Sequence, residues 1–580
     1  MKRGRKMFVE VASAMPERVW TFRGGFDGDV VARTACDGDS LVRKPETQNH
    51  TARSARGARR WVLLSLVGVA VFFRFYALDR KVFWHDEVFT SLAVAGRTVE
   101  EVNRQLPPGS VVTAADLQRL QRINPNENAL SVISSLAADT PEHPPLYFVL
   151  ARLWAEVFGD SVSSLRALSA VFGVLVLPCV FWLSRELFAS DRTARVAVAL
   201  VAVSPFQVLY AQEARQYSLL AVVILCSSAA LLRAGRRQSR ADWLIYAASL
   251  AVGLYTHPLF ALVVLAHGLY TTITNLHAVI KPKPLRLTPA LKSYALATLL
   301  GCAAYAPWVI NAQAHLSVGQ VGSWFEESIG VSKLLKRWLF DFGVLFLDTA
   351  GPNIRSLYGV DSRLIDLAHV PAVLLEGFAL YALCRRGERR AAVFILSLAA
   401  STFLALAVPD LISGGQRSGV PRYMMATDLA LQLAVAYFFA PRISGEDGGR
   451  GRAWEAVFLL IILAGVASCA ISSQARAWWN KGDSARNIRA APIINAATDP
   501  LVVSDFSDYG FANTLSLGRL LAPDTRLQLT TGRDTPTIFP PAGTLFLFGS
   551  SEETRRRIEG EGRYRVEQTD GPTLWRLIPE

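Results

Sequence analysis

Apolar residues gather into long runs that recur from residue 61 to 473, with short polar stretches between them. Eleven of these runs are predicted to be membrane-spanning helices: 61–78, 163–187, 193–210, 217–233, 242–256, 259–279, 292–312, 366–384, 391–408, 424–440 and 454–473. One further run, PLYFVLARLWAEVFG at 145–159, falls short of the roughly twenty residues that a span needs and carries Arg152 and Glu156. It predicts a helix lying in the membrane interface. Between the first span and residue 143, TVEEVNRQL, AADLQRLQRI and ALSVISSLAA have helical spacing and predict short helices packed on one membrane face. After residue 473 the pattern changes. PLVVSD, RLQLTT, TLFLFGSS and YRVEQT have strand length and alternate with helix-like TLSLGRLL and SEETRRRIEGEG. The expected fold class is an all-α polytopic membrane protein of about 11 transmembrane helices with juxtamembrane helices, followed by a small C-terminal α/β domain. Three parts are expected: a disordered basic leader over 1–60, a membrane domain over 61–473 and the α/β domain over 474–580.

Charge sets the direction of insertion. The 580-residue chain has a formal net charge of +13, yet its basic residues fall in clusters between apolar runs, RAGRRQSR (233–240), KPKPLR (281–286) and CRRGERR (384–390). Reading 145–159 as interfacial puts all three clusters on the cytosolic side, which is the positive-inside arrangement. That accounts for the charge without a nucleic-acid partner. The N-terminus is then cytosolic in the plasma (inner) membrane, and the C-terminal domain extracytoplasmic. Residues 1–60 lack an apolar core and read as a leader rather than a signal peptide. The six cysteines form no CxxC pair and no disulfide framework.

The same assignment collects the polar motifs on the outer side: FWHDEVF (83–89), PEHPPLY (141–147), QEARQYS (212–218), YTHP (255–258) and GGQRSGVPRYMM (414–425). Asp86 and Glu87 would suit a helix cap, but Glu142, His143, Glu213, Arg215, His257, Arg417 and Arg422 are expected on the same face. Ionisable groups gathered at such depth mark a cavity or a substrate path. The mixture fits transfer of a sugar from a lipid phosphate: a carboxylate takes the proton of an acceptor hydroxyl, and arginines hold the departing phosphate with their planar fork. Glu213 and Arg215 could instead pair with each other, and His257 could be a plain interfacial histidine. Arg417 and Arg422 flank a Gly-rich turn and read as a phosphate clamp. Arg74 could reach a phosphate or snorkel, Arg166 reads as structural, and AWWNKGD (477–483) as an aromatic interface anchor. No HxxxH or HxxE spacing supports a preformed metal site.

Five of these stretches, WHDEVF, HPPLYFVLARLWAEVFGDSVSSLRALSAVFG (143–173), QEARQYSLL (212–220), YTHPLF (255–260) and QRSGVPRYMM (416–425), resemble the polyprenyl-phosphate-sugar-dependent glycosyltransferases of the GT-C superfamily, in the bacterial branch related to protein O-mannosyltransferases and aminoarabinose transferases. The resemblance spans roughly residues 60–440. It implies inverting transfer of a monosaccharide, mannose being one candidate, from a polyprenyl-phosphate donor to a hydroxyl on the extracytoplasmic face. Asp86 becomes the base and Glu87 its neighbour in acceptor or structural contact. His143, Glu213, Arg215, His257, Arg417 and Arg422 become substrate-binding candidates, with no cofactor and no metal expected. The implied partners are the lipid-linked donor, the bilayer and a protein, lipid or glycan acceptor. A polymerase or ligase for lipid-diphosphate-linked glycan is the enzymatic alternative. A transporter is the non-catalytic one, disfavoured because the interiors of 193–210, 217–231, 391–408 and 456–472 carry no charge.

Overall fold

The computed structural model describes residues 47–280, 288–315, 328–349, 362–443, 449–531, 543–571 and 573–580. All eleven expected spans are helical at the predicted places. Among the described residues seven helices are long and apolar enough to cross a membrane: Val162–Phe188, Tyr217–Arg237, Pro289–Gln313, Leu367–Arg386, Arg389–Ser413, Pro421–Arg442 and Gly449–Gln474. The expected span 193–210 is two helices, Asp191–Ala202 and Pro205–Ala211, bent by 61°. Pro205 explains the break, since it lacks the N–H that would continue the ladder. The carbonyls freed there are taken by Arg74, which donates to Val201 O (3.2 Å) and Ala202 O (2.9 Å) and also to Gly173 O (3.1 Å) of the neighbouring helix. Arg74 therefore serves the backbone of the broken span and neither snorkels nor reaches outward. The apolar stretches 61–75 and 260–276 and the Arg240–Thr256 helix are shorter.

The first helix begins at Thr47, inside the segment expected to be an unstructured leader. Its Arg- and Ala-rich sequence favours continuing the helix upstream of the apolar run. Residues 1–46, and KPKPLR with them, lie outside the described residues. The other two basic clusters cap the same end of the bundle, where Arg236 meets Glu186 at 2.7 Å across neighbouring helix ends. The interfacial run forms a helix of 13 residues, Leu146–Phe158, too short to span. Its Arg152 is buried and donates to Val94 O, Asn124 O and Glu127 O, tying that helix to the short helices before it.

The C-terminal segment forms the expected strands and helices within a six-stranded sheet: β1 Val111–Thr113, β2 Leu501–Asp505, β3 Arg526–Thr530, β4 Leu545–Phe548, β5 Tyr564–Asp570 and β6 Leu574–Pro579. The order is β1-β3-β2-β4-β6-β5, parallel from β3 through β4 and antiparallel elsewhere. Its first strand comes from the loop after the first span, pairing Val111 with Gln528. The sheet is thus completed by membrane-domain sequence, and residues 59–580 form one compact unit.

Candidate active site

The short helix His85–Val94 carries the acidic pair at its first turn, where carboxylates favour the helix dipole. Successive residues point about 100° apart, and the structure sends the two side chains to different surroundings. Glu87 is fully buried. Its oxygens accept from Arg166 Nε (2.7 Å) and Nη2 (2.6 Å), Lys481 Nζ (2.9 Å) and the Ala214 amide (2.9 Å). Burial alone would raise this carboxyl, but Arg166 and Lys481 outweigh it and hold it below its usual range. Arg166 also donates to the carbonyls of Leu78, Lys81 and Val82, so it is structural, as its sequence suggested. Glu87, placed beside Asp86 among the catalytic candidates, is occupied on both oxygens by protein donors.

Asp86 faces the other way and retains 18% side-chain exposure. Arg422 Nη2 stands 3.6 Å from Oδ2, and His85 Nδ1 3.4 Å from Oδ1. Arg215 Nη1 donates to the Asp86 carbonyl (3.2 Å) and Thr90 Oγ1 (3.3 Å). Burial pushes the Asp86 carboxyl up, yet Arg422, His85 and Arg215 together hold it well below the usual carboxylate range. It is ionised throughout the neutral range.

Around Asp86 lies a set of buried N–H donors with no protein acceptor: Trp84 Nε1, His143 Nδ1, Arg215 Nε and Arg422 Nε. The His143 case follows from chemistry. Burial, with Arg215 and His257 nearby, lowers its pKa well below the ordinary value, so the ring is neutral. Arg215 Nη2 stands 3.2 Å from Nε2, and a guanidinium only donates, so Nε2 accepts and Nδ1 carries the hydrogen. Four buried donors left open beside one carboxylate call for an anionic, oxygen-rich ligand.

The remaining candidates are divided. His257 is buried at the end of the Arg240–Thr256 helix, where its Nδ1 accepts the Leu259 amide (3.1 Å). Burial, then Arg215 and Arg422, bring its pKa down to about 3. Its ring packs by Tyr217 and Tyr423, and Arg422 lies over the rings of Trp84, Tyr217 and Tyr423. Glu213 and Arg215 do not pair with each other. Glu213 is fully buried and is met by Asn480 Nδ2 and by Lys481 Nζ at 3.5 Å. Burial raises its carboxyl despite Lys481. Arg417 turns to Asp410 (3.5 Å), whose other oxygen accepts from the Ser418 amide and hydroxyl. Of the expected arginine clamp, the structure brings Arg422 onto Asp86 and leaves Arg417 on the loop.

Sequence reasoning missed the strap Trp479–Ser484. AWWNKGD is no interface anchor: Trp478 and Trp479 both donate to Asp348 Oδ2 (2.7 and 2.9 Å), Asn480 reaches Glu213 and Lys481 sits buried between Glu87 and Glu213. The one signal available was a lysine between two tryptophans and an aspartate just after the last apolar run. Among the described residues no group of three or more His, Cys, Asp or Glu stands at metal-holding spacing.

These features are those of a multi-pass membrane protein, and most of the chain shares its fold with solved structures. Two crystal structures of ArnT from Cupriavidus metallidurans, one in the apo state and one bound to undecaprenyl phosphate, match it with TM-scores of 0.53 and 0.52 at 14% identity, covering 90% of this chain and 98% of theirs. Residues 142–309 match the profile of the family described as dolichyl-phosphate-mannose-protein mannosyltransferase. That segment runs from Glu142 through His143, Arg215 and His257. No curated protein sequence matches the chain.

Proposed function

We propose that the protein is an inverting glycosyltransferase that moves a monosaccharide from a polyprenyl-phosphate donor to an acceptor hydroxyl on the extracytoplasmic face. The observation that carries this reading is the set of four open, buried N–H donors gathered with the partly exposed Asp86 carboxylate. The donor's phosphodiester would lie against Arg422, Arg215, His143 and Trp84. The acceptor oxygen attacks the anomeric carbon from the opposite face, its proton passes to Asp86, and the bond from that carbon to the phosphate oxygen breaks with its electron pair staying on the polyprenyl phosphate. Arginine is suited to the growing charge because it stays protonated and offers a planar fork.

The low basicity of Asp86 fits this sequence of events. Its pKa is held down chiefly by Arg422 among its neighbours. A phosphate that draws Arg422 away raises that pKa, so the base strengthens only once the donor is in place. In this reading the guanidinium groups meet the leaving-group charge and no metal or cofactor is called for. Which sugar and which acceptor are used belongs to a donor and acceptor panel.

The test is transfer or hydrolysis of labelled polyprenyl-phosphate sugars by reconstituted protein beside Asp86→Asn. Turnover of one donor by the wild type, falling about 10²–10⁴-fold in a variant that accumulates normally, is the expected result. If Asp86→Asn stayed active while Arg417→Ala lost activity, the lipid-diphosphate polymerase or ligase reading would replace it.

A further inference from the structure

A cavity of about 520 Å³ opens in the C-terminal sheet and shares no lining residue with the site described above. β3 and β4 are both parallel to β2 and lie on opposite sides of it. The chain path therefore reverses between β2 and β4, and the crevice outside the carboxyl ends of such strands is where open α/β sheets bind ligands. The cavity lies there, lined by Asp505 at the end of β2, by Phe548 and Gly549 at the end of β4, and by Asn513, Arg486 and Thr573. Its size falls within the roughly 300–1,000 Å³ of small-molecule sites.

The polarity of the lining selects the ligand. The helix Asp508–Gly518 starts at this crevice, but its N-terminus is already matched by a carboxylate, Asp505 Oδ1 accepting from the Ser507 amide (3.0 Å) and hydroxyl (2.6 Å). Asp505 and Arg486, the carboxylate and the guanidinium of this lining, offset each other and leave no net charge to favour an ionic ligand. Neutral hydroxyls, which both donate to a carboxylate and accept from an amide, suit Asp505, Asn513 and Thr573. The cavity is also linked to the helix carrying Asp86 through two side chains. Asn513 Oδ1 accepts from Ser484 Oγ (2.8 Å), and that oxygen accepts the His85 amide (3.0 Å) next to Asp86. Phe89 and Phe511 stack at 6.1 Å between the two helices.

Building on the glycosyl-transfer reading, we propose that this cavity binds an uncharged saccharide portion of the acceptor and holds it beside the helix that carries Asp86. The test uses full-length protein in nanodiscs without donor and measures saturation-transfer NMR to maltose, cellobiose and N-acetylchitobiose. At least one should bind, and Thr573→Trp, which fills the cavity, should weaken it at least tenfold, with Thr573→Val as the folded, volume-preserving control. Equal binding by Thr573→Trp, binding of none of the three, or displacement of the sugar by inorganic phosphate overturns the proposal. Because this measurement needs no donor, absence of glycosyl transfer would sink the functional reading and leave the saccharide site standing. With an active donor, Thr573→Trp should raise acceptor KM at least tenfold against less than twofold for donor KM; equal changes in both overturn the proposal.

Discussion

Asp86 and Glu87 are adjacent in sequence and opposite in duty, because one turn of helix aims them into different environments. Glu87 is the only negative partner of Arg166 among the ion pairs described and shares Lys481 with Glu213. Removing its charge strands buried cations, which in comparable buried pairs costs about 3–5 kcal/mol. Glu87→Gln is therefore expected to fail to accumulate as monodisperse protein on size exclusion, whereas Asp86→Asn accumulates and lacks only turnover. A well-folded Glu87→Gln protein would contradict the structural role. Lys81 gives a second prediction at this scale. It is buried and donates to Gln212 Oε1 (2.9 Å), and burial, reinforced by Lys481 and Arg166, brings its pKa from 10.5 down to about 7. Between those values the unfolded chain holds a proton that the folded chain has released, so stability rises with pH, by at most about 1.4 kcal/mol per unit. The thermal midpoint in nanodiscs should rise between pH 7 and 9, and Lys81→Met should remove most of that rise. A wild-type profile no steeper than the variant's would show that Lys81 keeps its proton.

At the scale of elements, the strap Trp479–Ser484 joins three parts of the chain. Asp348 holds Trp479 and the preceding Trp478, Lys481 and Asn480 close over Glu87 and Glu213, and Ser484 receives the amide that starts the helix carrying Asp86. Asp348→Ala removes two side-chain hydrogen bonds at once, each worth about 1.5–3 kcal/mol when the acceptor is charged. The strap should loosen, and limited proteolysis should gain a cut near residues 474–486 with transfer reduced. Unchanged cleavage would mean that packing alone holds the strap. Gly510 makes a related point, since a Cβ there would come within 2.4 Å of Asp505 O. The helix approaches β2 closely enough that only glycine fits, and that approach shapes the proposed saccharide cavity.

At the scale of the molecule, the α/β segment is built into the membrane unit. β1 comes from the first loop, Ser516 Oγ donates to Phe83 O (2.7 Å), and Lys481 is part of the buried charge network. Truncation after residue 476 leaves Glu87 and Glu213 without Lys481 and β1 without its neighbour β3. The truncated protein is expected to be degraded rather than to persist as an inactive membrane domain. Its stable accumulation, seen by immunoblot of membranes, would show that the C-terminal segment is dispensable for folding.

Periodicity and charge by themselves determined the spans, the interfacial 145–159 helix and the strands β2 to β5, because each rests on a local pattern that water, lipid and backbone hydrogen bonding enforce wherever the chain lies. They also placed Asp86, His143, Arg215 and Arg422 within motifs at helix ends, where ionisable residues stand out against apolar neighbours. What local pattern does not encode is which partner a charge finds. Only the packed chain decided that Glu87 pairs with Arg166 and Lys481, that Arg417 turns to Asp410, that Arg74 serves the carbonyls of a broken span, and that Val111–Thr113 closes the sheet of a segment nearly 400 residues away. Those choices depend on which groups are buried together. In a low-dielectric interior the nearest countercharge outweighs any preference that sequence neighbours could express.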